Sequence, residues 1–410
     1  MKRFHIKLLF FIFLLVTFFN CTEEYELKTK NFESLIVVEA TLTNELQTQE
    51  VKLSKTFRLE SGEPIIVSNA EVYIQTDTNE QYHFEHTEEG NYTSINPFQA
   101  QSGKSYTLYI NLPDGSKYVS TSEVLPPVTS IESLNTVLET VNGEQMVVVF
   151  ANSGDNLDGA TFFKYEYEET YKIETPYYSP LDLVMINVVY GENVFLEAEL
   201  DFYYELELVP KPENVRICYT TKTSTDIIQT SLNDSQNNSV VNFPVRSIRS
   251  NDPIIRERYS ILVKQYVQSL EAYNFYRVLK ELGTIENLFT DNQPGYIQGN
   301  MSAEHNTEEN VIGFFQVSSI SSKRIFFNHG DFGLPLPPYF YQCEILENVD
   351  YNDFTWEDGD RDDYTLIYNS LYTGSYKYFE GFHPVYTLVS AKCGDCSLFS
   401  STLIPEFWED

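Results

Sequence analysis

Between residues 33 and 125 apolar and polar side chains alternate in short runs, and a period of two restricts such a segment to half-buried β-strands. The runs are Leu35 to Leu42, Val51 to Phe57, Ala70 to Thr76, Gln81 to Glu88, Tyr106 to Leu112 and Lys117 to Val124. Between the last two lies Pro113-Asp114-Gly115-Ser116, where proline presets one turn dihedral and glycine accepts a positive one, so a hairpin is expected. Strands this short, with no helical period among them, predict an N-terminal β-sandwich of immunoglobulin-like or transthyretin-like type.

Leu125-Pro126-Pro127-Val128 closes that domain, because paired prolines stiffen a linker and cannot join a central strand. A larger β-rich domain is expected over residues 129–410. Asn142-Gly143 separates the runs Ile131 to Glu139 and Gln145 to Ala151, and this dipeptide favours the tight turn of a hairpin. Phe163, Tyr165 and Tyr167 alternate with charged residues in the next strand, and Tyr259 to Val267 reads as another. Ser269 is a good helix cap and Gly283 a good stop, so residues 270–282 form the one expected helix, with Ala272, Phe275, Tyr276, Leu279 and Leu282 on its apolar face. Two further strands are expected at Val311 to Phe315 and Val317 to Phe327. The chain is therefore expected to be all-β, with one amphipathic helix packed on a sheet.

The first residues carry an address. Lys2, Arg3 and Lys7 precede an apolar run from Leu8 to Phe19 that is short for a permanent membrane span but fits the core of a secretory signal. Cys21 follows at once, where a lipoprotein signal peptidase would cut, so residues 1–20 read as signal peptide and 21–32 as a lipidated tether. Asn20 stands where a small residue is usual, which leaves a secreted protein without lipid as the alternative. Glu23, Glu24 and Glu26 form an acidic cluster that resembles the surface-export signal of Bacteroidota lipoproteins; the alternative is a solvated tether. The expected location is the outer membrane, reached through a lipid anchor and facing the cell surface.

Charge narrows the partners. With 60 acidic residues against 27 basic ones the net charge is -33, which repels nucleic acid phosphates and anionic headgroups. Thirty Tyr and 29 Phe supply enough ring surface for the chain to fold despite that charge.

Two resemblances enter on particular residues. Gly90, Asn91 and Tyr92, followed by Ala100, Gly103, Tyr106, Leu108 and Ile110, resemble a regulatory-domain sandwich of the carboxypeptidase type, which implies binding or spacing. The second rests on an ordered set: the strand before the helix, Glu271-Ala272-Tyr273-Asn274-Phe275-Tyr276, Pro294-Gly295-Tyr296-Ile297-Gln298-Gly299-Asn300, and the stretch from Ile312 through Gln316 and Ser322 to Phe327. With the closing Cys393-Gly394-Asp395-Cys396, Pro405, Phe407 and Trp408, this order resembles a Bacteroidota lipoprotein family known as domain of unknown function 4249. The resemblance implies an accessory role beside TonB-dependent receptors and carries over no catalytic residue.

Cys218, Cys343, Cys393 and Cys396 are an even set in a chain bound for an oxidising compartment, so two disulfides are expected, with three pairings open. Cys393 and Cys396 have redox-motif spacing without its βαβ context, and the set fits zinc spacing poorly. Glu357 to Asp363 spaces carboxylates as a calcium loop would, but its glycine and closing acid are misplaced, and a solvated acidic turn is expected. His83 and His86 are three apart on a strand and point to opposite faces. No cofactor and no metal is expected.

Recognition is expected in the ring-rich irregular stretches 175–214 and 331–364, the first being an extra hairpin or a binding loop. The candidates for partner contact are Tyr339, Tyr341, Phe354 and Trp356, with Tyr177 and Tyr178 behind them; the alternative is that these rings bury themselves at sheet edges. The expected function is a non-catalytic accessory subunit of a TonB-dependent receptor, or of another outer-membrane protein, in nutrient uptake. The alternatives are a surface glycan-binding or glycan-degrading protein, and a structural envelope or assembly component.

Overall fold

The computed structural model describes residues 34–57, 65–154, 159–190, 202–234, 239–283, 297–305, 309–353 and 362–409. The alternating runs at the N-terminus form strands Ile36–Thr43, Glu50–Lys55, Glu71–Thr76, Gln81–His86 and Ser105–Asn111, joined by Asn91–Ser94. Their apolar phase builds one core from Val38, Leu42, Leu53, Ile74, Leu108 and their neighbours, closed by Tyr92 and Phe98. The hairpin at Asp114 forms as its residues dictate: the Leu112 N–H donates to Ser116 O at 2.8 Å, and the Ser116 N–H to Asp114 Oδ1 at 2.9 Å. The single run expected over Lys117 to Val124 is two strands, Lys117–Ser120 and Glu123–Val124, because the register against Ser105–Asn111 shifts by one residue between them, from Tyr109 opposite Val119 to Tyr106 opposite Glu123.

Residues far beyond the prolines complete this core. Met301–Ala303 pairs with Lys117–Ser120, and Met301, Ala303, Val311, Phe315 and Val317 pack inside. The two strands expected between residues 311 and 327 are one strand, Ile312–Asn328, of 17 residues. Its first part runs parallel to Ile36–Thr43, from Val37 opposite Ile312 to Thr43 opposite Ser318. Its second part is antiparallel to Arg258–Gln268, from Val267 opposite Ser319 to Arg258 opposite Asn328. Gln316, which broke the apolar pattern, does not break the strand: its amide sits in a buried chain from Gln268 Nε2 to Gln316 Oε1 (3.1 Å) and from Gln316 Nε2 to Thr41 Oγ1 (3.2 Å). The parallel pairing needs Gly313, because a Cβ there would lie 2.1 Å from Val38 O.

A second core lies where Ile131–Val141, Glu144–Ser153 and Phe243–Arg249 pack on Phe162–Glu174 and Arg258–Gln268. Asn142 (φ 52°) and Gly143 (φ 86°) make the turn that their residue types predict. Phe163, Tyr165, Tyr171, Ile261 and Val263 face inward, which sends Lys164, Glu166 and Lys264 to the other face of the same sheet. Helix Leu270–Gly283 covers part of that outer face, with the Ala272 N–H donating to the Ser269 cap at 3.1 Å and Ala272, Phe275, Tyr276 and Leu279 packed inward.

The stretch 175–214 is the hairpin Leu181–Tyr190 with Phe202–Pro210, and it shares a third core with helix Asp363–Thr373 and strands Ile345–Asp350, Tyr376–Phe382 and Val385–Ser390. That second helix was not expected. Asp362, read as part of a solvated acidic turn, is instead its buried cap, accepting from the Thr365 N–H at 2.6 Å. The disulfides are Cys218–Cys396 and Cys343–Cys393, so the closely spaced pair is split between two partners and holds neither a redox bond nor zinc.

Candidate functional site

Tyrosines distant in sequence reach the adjacent residues Lys392 and Cys393. The Tyr177 N–H donates to Cys393 O at 3.2 Å, and the Tyr339 hydroxyl donates to Lys392 O at 3.0 Å. Lys392 Nζ stands 4.3 Å from the Tyr341 ring centre, and Tyr341 meets Phe399 edge-on at 4.9 Å. Tyr178 lies a short way along the chain, with Lys211 Nζ 5.3 Å from its ring; burial holds the Lys211 pKa below its ordinary value against the pull of Asp182 and Asp395. The Cys343–Cys393 bond fixes this corner. Tyr177, Tyr178 and Tyr339 are half-buried and Tyr341 is 37% exposed, so rings here pack and present an edge at once. Phe354 and Trp356 lie outside the described residues, as do Cys21, Glu23, Glu24 and Glu26.

A second site was not read from the sequence. Between helix Leu270–Gly283 and the outer face of the sheet runs a cleft of about 790 Å³, with Gln47 to Glu50 at its rim. Its floor is set by register: Lys164 lies opposite Tyr266, and Glu166 opposite Lys264. Lys164 Nζ is 2.8 Å from Glu166 Oε1 and 4.6 Å from the Tyr276 ring centre, and its side chain is only 13% exposed. Burial alone would lower the Lys164 pKa, but Tyr276 and the Glu166 carboxylate overcome it and hold the ammonium above its ordinary value. Burial likewise opposes ionisation of Glu166, and Lys164, the Tyr266 hydroxyl (3.0 Å) and Lys264 reverse that too. Lys264 acts on Glu166 from a distance and makes no ion pair within 4 Å among the described residues. Polar residues in alternating strands look like a solvated face, and only the helix placed over them makes a cleft.

The sequence profile of the domain of unknown function DUF4249 matches residues 22–324. The chain belongs to this family. The DUF4249 region contains the N-terminal core, the helix and every residue of the cleft floor, whereas Tyr339, Tyr341 and the Lys392–Gly394 corner lie beyond it. No curated protein matches this DUF4249 chain.

Proposed function

We propose that the chain is a lipoprotein, anchored through Cys21 in the outer membrane and facing the cell surface, that serves a TonB-dependent receptor as a non-catalytic binding subunit in nutrient uptake. The observation that carries the reading is the order of basic head, apolar run, Cys21 and acidic cluster at the start of a DUF4249 chain. Two disulfides closing separations of 178 and 50 residues support it, since such bonds persist in oxidising compartments. The tyrosine corner supplies the partner contact: rings held by a disulfide and by main-chain hydrogen bonds give contact area at little entropic cost.

The anchor is tested by Cys21→Ala with labelled palmitate and membrane fractionation. The variant is expected to lose label and membrane retention, and an unlabelled wild-type chain, or a variant that stays in the membrane, would contradict the reading. Protease added to intact cells is expected to degrade the wild type and spare a variant with Glu23, Glu24 and Glu26 all changed to Ala.

A further inference from the structure

The cleft beneath helix Leu270–Gly283 has features that receptor contact does not use. We propose that it binds a small organic anion with a ring body, a carboxylate being the simplest case, whose negative group is taken by Lys264. Lys264 is half-buried and makes no ion pair within 4 Å among the described residues. Lys164, its neighbour across the floor, is committed to Glu166 at 2.8 Å and to the Tyr276 ring. Lys264 is not. A half-buried ammonium attracts an anion more strongly than one in open water and the contact is charge-assisted, while Glu39, Glu50 and Glu166 line the same cleft and oppose it.

The walls say what the rest of the ligand is. Tyr266, Phe275, Tyr276 and Leu279 line the same space, and flat or apolar bodies pack best against such rings. A volume of about 790 Å³ suits a small molecule. Both walls are rigid: the floor is two hydrogen-bonded strands, and the helix is pinned by Phe275 on Phe314 at 5.5 Å between ring centres. This site stands apart from the anchor and the tyrosine corner, so its failure would leave the receptor reading intact.

The test is calorimetric titration of the full chain in detergent with 2-naphthoate and with its neutral counterpart 2-naphthamide, each corrected against detergent alone. Lys264→Gln is expected to weaken naphthoate roughly tenfold or more, the loss of one charge-assisted contact, with naphthamide and the melting temperature unchanged. Lys264→Arg keeps the charge and is expected to restore most of the affinity. The proposal is overturned if naphthoate gives no heat beyond the detergent blank, or if Lys264→Gln binds it as the wild type does. It is equally overturned if the Gln variant loses both ligands together with its melting temperature, since Lys264 would then be holding the fold.

Discussion

The side-chain amide of Asn300 pairs with the main chain of Phe315 in both directions: Oδ1 accepts from the Phe315 N–H at 2.8 Å, and Nδ2 donates to Phe315 O at 2.7 Å. One side chain thus does the work of a neighbouring strand along Ile312–Asn328, the strand that serves both large cores. Asn300→Ala would orphan two polar groups beside a fully buried ring, and a loss of about 2 kcal/mol is expected in denaturant unfolding. Asn300→Asp keeps the acceptor but sets a carboxylate oxygen against Phe315 O and Glu123, so it should fare no better.

A buried ion pair makes the second prediction. Glu169, 5% exposed, accepts from Arg246 Nε at 2.9 Å and from the Tyr259 hydroxyl. Arg246→Ala strands that carboxylate and should cost about 3 kcal/mol. The double variant Arg246→Met with Glu169→Leu should recover most of it, because no charge is left buried. A double variant as unstable as the single one would place the cost in lost packing.

The N-terminal alternation was legible because the longer strands of that sandwich, such as Ser105–Asn111, have one buried face, and the helix after Ser269 because cap, stop and apolar stripe agree. Helix Asp363–Thr373 was not, since its buried face is Tyr364, Ile367 and Ser370 and its cap, Asp362, sits at the end of an acidic run. No local pattern could show that Val37 pairs with Ile312, or that Lys164 and Lys264 share a floor, because those contacts exist only after distant strands dock. The tyrosines of the corner were visible as irregular ring-rich stretches, but their meeting point at Lys392 and Cys393 was not.

Glu123 gives a pH signature. Burial raises its pKa above the ordinary carboxylate value, against hydrogen bonds from Thr121 (2.7 Å) and Asn300 (3.0 Å). The folded state therefore holds this proton more tightly than the unfolded chain, and the stability it contributes is present at low pH and lost as pH rises through the folded pKa. Glu123→Gln should thus gain on the wild type as pH rises from about 4 to about 7 in parallel denaturation series. Parallel curves for the two proteins would refute it.

Co-purification measures partner contact directly. Tagged full chain, extracted from membranes in mild detergent, is predicted to bring down a TonB-dependent receptor in near-equal amount. Alanine at one or more of Tyr177, Tyr178, Tyr339 and Tyr341 should release the receptor while the melting temperature holds. Recovery of the chain alone, or four variants that lose stability with none selectively losing the receptor, would contradict it.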